Sequence, residues 1–182
     1  MTFMPEDDEP AAPPPAGEAL DAIGPLATLP VFFKLAGRRV ALAGGGDGAA
    51  WKAELLASTG ALVSVYAPDP SAKLSELAAR REAIRIEPRR WDPEDLNGAA
   101  LAILETESDE EAKEFRAAAQ AAGAPVNVVD RPEFCDFSFA TIVNRSPLVV
   151  AISTDGAAPV FGQAIRARIC GTILSALSPK WS

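Results

Sequence analysis

From Leu29 onward, apolar and polar positions fall into two alternating patterns. Residues 39–43, 62–66, 84–87, 100–104 and 126–129 are short apolar runs that predict strands, while 49–58, 73–83 and 109–122 have the composition of helices. A strand that is apolar at consecutive positions is buried on both faces. The pattern therefore predicts a parallel sheet with helices packed on either side. Gly60 and Gly123 stand where helices must stop, each followed by an alanine and the next strand.

After Asp130 the rhythm changes. Residues 139–143 and 148–153 are two β-rich runs joined by 144–147, and 159–177 read as a closing helix with Pro159 at its start. This tail contains no strand-helix-strand crossover, so a separate small unit is expected. Both runs are apolar on both faces, and a lone two-stranded hairpin is marginal in water, so a second copy in a homodimer is expected to cover them. The predicted class is α/β, with a doubly wound domain over 26–136 and a dimerisation and substrate unit over 137–182. Residues 1–25, rich in Pro, Ala, Glu and Asp, predict a disordered leader.

The net charge of −8 belongs largely to that leader, because Glu6, Asp7, Asp8, Glu9, Glu18 and Asp21 all precede the first basic residue, Lys34. About −2 is left for the remainder. Basic residues do not cluster with aromatics, so no nucleic-acid partner is expected. No apolar run reaches the roughly 20 residues of a membrane span, and the N-terminus does not resemble a secretion signal. These readings predict a soluble, cytoplasmic protein. The two cysteines, Cys135 and Cys170, indicate neither a disulfide framework nor a zinc site. The sequence has no histidine, which leaves proton transfer to Asp, Glu, Lys, Tyr or Cys, with carboxylates as leading candidates.

Two segments carry candidate chemistry. Gly44-Gly45-Gly46-Asp47-Gly48-Ala49 fits G-x-G-x-x-A between a predicted strand and a predicted helix, the context in which backbone N–H groups hold a dinucleotide pyrophosphate. Asp69, just past the second strand, stands where an acidic residue meets an adenosine ribose, which favours NAD over NADP. The second segment, ending at Asp130, puts a carboxylate at the mouth of the same sheet, where ligands of open parallel sheets collect. Asp130-Arg131-Pro132 also reads as a plain turn, and Asp136 is a second carboxylate in the same stretch. Arg131, Arg145, Arg166 and Arg168 would suit a substrate with many carboxylates if several converge. The stretch from Ser153 and Thr154 to Pro159 reads as a helix cap that can also line a pocket.

Several ordered motifs together resemble one family. Leu29-Pro30-Val31-Phe32, Gly37-Arg38-Arg39-Val40, the glycine loop, Trp51-Lys52-Ala53-Glu54, Asn127-Val128-Val129-Asp130 and the segment from Arg145 to Ser153 are similar to the precorrin-2 dehydrogenase/sirohydrochlorin ferrochelatase module of siroheme synthase. The resemblance implies a Rossmann domain that binds NAD⁺, an intertwined homodimer, and a tetrapyrrole product: sirohydrochlorin or, with Fe²⁺ as a second substrate, siroheme. It places the catalytic aspartate on Asp130. Cofactor contacts fall on Gly44, Gly45, Gly46, Asp47, Gly48, Pro68 and Asp69, with Thr106 on the same side. Substrate contacts are assigned to Asn127, Arg131, Arg145, Ser153 and Thr154. The resemblance further implies a uroporphyrinogen methyltransferase domain in a longer chain, of which these residues would be the N-terminal part. Gly48, Trp51, Glu105 and Asp155 depart from the family's usual valine, arginine, alanine-rich strand end and glycine. Two rival readings are a non-catalytic NAD-binding or sensing module and an unrelated Rossmann dehydrogenase of small alcohols, the latter lacking the expected Ser-Tyr-Lys or histidine set.

Overall fold

A computed structural model describes residues 26–146, 148–154 and 158–176; the expected leader, 1–25, lies outside them. The chain divides into residues 1–30 and 31–182. Within the first unit, residues 26–30 are irregular and exposed. The strands and helices belong to the second.

Strands β1 (Arg39–Ala43), β2 (Leu62–Tyr66), β3 (Ile84–Glu87), β4 (Ala102–Leu104) and β5 (Val126–Val128) form a parallel sheet of order β3-β2-β1-β4-β5. Side chains of a strand alternate between faces, and on β1 this sends Val40 and Leu42 into one core and Ala41 and Ala43 into the other. The first core is filled by Ala49, Ala53 and Leu56 of α1 (Asp47–Ala57) and by Leu74 and Leu77 of α2 (Ala72–Arg80). The second is closed by Ala112, Phe115 and Ala119 of α3 (Asp109–Ala121). Helices therefore cover both faces, as the apolar runs predict.

Polar side chains start two of these helices. Ser71 accepts from Leu74 N at 3.3 Å at the head of α2, and Ser108 accepts from Glu111 N at 3.2 Å at the head of α3. Asp109, Glu110 and Glu111 add negative charge to the first turn of α3, where the helix dipole favours it. α1 has no such side chain, because its N-cap is Gly46.

Beyond β5 the chain makes a short 3₁₀ turn at Pro132–Phe134 and folds back. Asp136 N donates to Val126 O at 2.8 Å, and the Asp136 carboxylate accepts from Val126 N at 3.0 Å and pairs with Arg116 at 3.4 Å. Strands β6 (Thr141–Arg145) and β7 (Leu148–Ile152) then form an antiparallel pair, followed by α4 (Pro159–Ala176). Arg166 Nε on α4 donates to Ile142 O at 3.2 Å. β6 starts two residues after the expected position because Phe137 and Phe139 pack on the first core instead of entering the ladder. Their ring centroids lie 5.4 Å apart, and Phe139 meets Trp51 edge-on at 6.4 Å. Of the expected turn 144–147 and helix 159–177, Pro147 and Leu177 lie outside the described residues.

Replacing Asp136 by Ala leaves the buried Val126 N–H without its acceptor. The substitution should lower unfolding free energy by roughly 1 to 3 kcal/mol in chemical denaturation, and Asp136→Asn, which keeps an acceptor, should lower it less. Equal stability of Asp136→Ala and the parent chain would show that this bond contributes nothing.

Candidate active site

The glycine loop lies between β1 and α1, at the point where the sheet reverses direction: β2 flanks β1 on one side and β4 on the other. Ligands of doubly wound sheets bind in the crevice at such a point. Gly44 adopts φ of +130°, a conformation that side chains rarely tolerate, and its N–H donates to Tyr66 O at 3.0 Å. Gly45 passes so close to the chain after β2 that a Cβ there would lie 2.6 Å from Asp69 O. The loop is thus bare backbone, and Gly45 lies against Asp69.

What faces that backbone is a carboxylate of the chain itself. Gly46 N donates to Glu105 Oε2 at 2.7 Å and Ala49 N donates to Glu105 Oε1 at 3.2 Å, which meets the open amides at the start of α1. A Cβ on Gly44, Gly46 or Gly48 would lie 2.7, 2.7 or 2.5 Å from Glu105 atoms. The cradle therefore fits an oxyanion of carboxylate or phosphate size, and Glu105 stands in for one. Asp47 is exposed on the first turn of α1. Thr106 is engaged elsewhere: its hydroxyl donates to Glu111 Oε2 at 2.6 Å and accepts from Ser108 N at 3.2 Å, fastening the loop after β4 to α3.

Beside the cradle is a cavity of about 450 Å³ bordered by Lys52, Asn127, Asp130, Arg131, Ser153 and Thr154, with further walls from Phe139, β6, β7 and α4. Val129, next to Asp130 in the chain, lies close to the glycine loop, since a Cβ on Gly48 would be 3.6 Å from its Cγ1. Asp130 has φ of 58°, and its exposed carboxylate has no hydrogen bond or ion pair among the described residues. Such a backbone conformation is uncommon outside glycine, though aspartate tolerates it better than most residues. Its neighbours hold the turn. Val128 N donates to Cys135 Sγ at 3.2 Å, and Asn127 Nδ2 donates to Phe137 O at 2.9 Å. Burial raises the Cys135 thiol above its ordinary pKa, consistent with a structural role. Asp136 is committed to Val126 and Arg116, which separates it from Asp130.

Asn127 is buried, and its Oδ1 has no hydrogen-bond donor among the described residues. Arg131 reaches the cavity wall, but its guanidinium pairs with Asp109 and, at 3.6 Å, with Glu133. Arg145 does not border this cavity; it ends β6 and donates to Asn144 O at 2.9 Å. The charge that does converge on Asp130 is Lys52, a residue that sequence reasoning did not assign to the site. Its ammonium lies 3.7 Å from the Phe139 ring centroid and 5.0 Å from that of Trp51. Burial lowers its pKa from 10.5 to about 8, an effect that the nearby Asp130 and Cys135 charges oppose. A signal was present in the sequence: Lys52 interrupts the Ala49, Ala53, Leu56 stripe of α1 at helical spacing.

The chain is similar to several known proteins. Residues 31–141 match a family described as putative NAD(P)-binding. A siroheme synthase of Ectopseudomonas mendocina is 47% identical over 141 residues, covering 78% of this chain and 30% of the relative. One from Azotobacter vinelandii is 46% identical over the same share of each. The chain thus spans about 30% of the length of these curated relatives. Among solved structures, SirC, a precorrin-2 dehydrogenase, superposes with a TM-score of 0.63 at 25% identity, covering 80% of this chain and 71% of that one.

The Lys52 environment has a measurable signature. The side-chain ¹³Cε resonance should titrate near pH 8, well below the ordinary 10.5. An unfolded chain keeps that proton to higher pH, so between these two values it binds more protons than the folded chain and stability should rise with pH. Lys52→Met should remove this rise. If the variant and the parent gain stability equally over that range, the lowered pKa belongs to another group.

Proposed function

Because the chain belongs to the family described as putative NAD(P)-binding, we propose that it oxidises precorrin-2 to sirohydrochlorin with NAD⁺, the dehydrogenase step of siroheme synthesis. The observation that carries this reading is that the glycine loop opens α1 at the switch point of the sheet, while Asp130, whose carboxylate makes no hydrogen bond or ion pair among the described residues, lines a cavity beyond the end of β5 in the same sheet. A candidate cofactor site and a candidate base thus lie beyond the carboxyl ends of strands of one sheet. The similarity to siroheme synthases and to a precorrin-2 dehydrogenase supports the choice of a tetrapyrrole over a small alcohol.

NAD⁺, when bound, supplies the two-electron oxidant. The amides of Gly46 and Ala49, with the glycine backbone from Gly44 to Gly48 beside them, would hold its phosphates, and Asp47, Pro68 and Asp69 would serve its adenosine side, where the Asp69 carboxylate suits a ribose hydroxyl and opposes a 2′-phosphate. Asp130 accepts the proton that the macrocycle loses. The buried Asn127 Oδ1 offers an acceptor to a pyrrole N–H. Lys52 supplies positive charge, and Ser153 and Thr154 supply hydroxyls, to the carboxylate arms of the substrate. Arg131 contributes at the rim, and Arg145 acts only on parts of the substrate that extend past the cavity. Iron insertion, with Fe²⁺ as substrate, would draw on the same Asp130 to take pyrrole protons. Thr106, expected from the family resemblance on the cofactor side, acts through the loop after β4, which its bond to Glu111 fastens to α3.

The assembly expected from the sequence also belongs to this reading. Leu148 and Val149 on β7 and Val160 and Phe161 on α4 are exposed, a quantity of apolar surface that a second copy would cover. We place the domain boundary near residue 136, with the paired strands and α4 as the dimer unit. In a longer chain a methyltransferase domain would supply this module's substrate, and a cytoplasmic setting fits two unpaired thiols. A second reading, a cofactor-binding module without turnover, draws on one observation: Glu105 in the cradle.

Asp130→Ala should reduce precorrin-2 oxidation by about 10² to 10⁴-fold while leaving folding and NAD⁺ binding intact. Anaerobic steady-state assays normalised to folded protein measure this, and retention of most activity would remove Asp130 from the chemistry. Sedimentation velocity at micromolar concentration should show a dimer, and Val160→Asp should shift it to monomer. A parent chain that sediments only as monomer would overturn the proposed assembly.

A further inference from the structure

We infer that Glu105 is a built-in competitor for the phosphate cradle and sets the affinity of this chain for its dinucleotide. The inference rests on the proposed function insofar as the cradle's ligand is a dinucleotide. Two observations carry it. The Glu105 carboxylate takes both Gly46 N and Ala49 N, the amides that open α1. It also fills the space that a Cβ on Gly44, Gly46 or Gly48 would need. One set of donors cannot serve a carboxylate and a pyrophosphate together, and two anions in the same pocket repel.

The geometry also shows how the competitor can leave. Glu105 N donates to Ala43 O at 2.8 Å, and Leu104 O accepts from Val129 N at 2.8 Å, so the backbone is fixed between neighbouring strands. Glu105 is only half-buried. Its carboxylate can therefore rotate toward solvent about side-chain torsions without disturbing the sheet. Cofactor affinity is then reduced by the fraction of molecules in which the cradle is open.

A residue with this role has effects of opposite sign on stability and affinity. Without ligand, Glu105→Ala leaves the first amides of α1 to water and should lower the thermal unfolding midpoint. With ligand, it should tighten NAD⁺ binding at least tenfold, with Glu105→Gln, which retains an acceptor but no charge, in between. ADP-ribose, which keeps the pyrophosphate and lacks nicotinamide, should show the same order. Calorimetric titration of the full chain and both variants reads these affinities. Equal or weaker binding by folded Glu105→Ala overturns the competition while leaving the dinucleotide reading standing. If none of the three proteins binds NAD⁺ or ADP-ribose, the dinucleotide reading falls and the competition falls with it.

Discussion

The amides that open α1 have to be satisfied although the helix brings no capping side chain of its own, and much of the molecule is arranged around that requirement. Gly46 occupies the cap position, where a Cβ would run into the Glu105 carboxylate. Ala49, Ala50 and Ala53 then let the helix lie directly on the sheet. The result is a close-packed junction of β1, β4 and α1 with unsatisfied donors at its mouth. An N–H without an acceptor is costly when it is shielded from water, so these amides need an acceptor, and the positive end of the helix favours an anionic one. Glu105 meets the demand from the neighbouring strand.

The second half of the crevice follows a different logic. The turn after β5 is held by Asn127, whose Nδ2 donates to the returning chain, and by Cys135 and Asp136 of that chain, which accept from the amides of β5. Asp130 is the position in this turn left without a partner among the described residues, and it is set apart by its left-handed backbone. Rigid neighbours around one uncommitted carboxylate are what a proton acceptor needs, since its position is fixed while its lone pairs stay available. Phe139 and Phe137, drawn out of the strand ladder, complete the wall on which the Lys52 ammonium rests.

Much of this was legible in the sequence. Strands β1, β2 and β3 coincide with the predicted runs because their apolar residues are local and continuous, and the glycine loop was visible from its spacing alone. The less legible features depend on contacts between distant residues. Glu105 reaches α1 only because β4 pairs with β1, and nothing in the local pattern declares that order. Arg131 looked free to bind substrate, yet it meets Asp109 on α3. Thr106 is claimed by Glu111 in the same way. Lys52 was hidden by its type, since a lysine on a helix normally reads as surface, and only its place in an alanine and leucine stripe distinguishes it.

The returning segment after β5 has one more effect. In a parallel sheet, every second amide of the outermost strand faces away from its neighbour, and here those are Val126 and Val128, which donate to the Asp136 carboxylate and the Cys135 sulfur. The margin of the sheet is therefore already saturated, and no foreign strand can add to it by backbone pairing. Growth of the sheet is blocked on that side, so self-association is directed away from β5, and a partially opened molecule that loses this segment would be the one exposed to strand-by-strand aggregation.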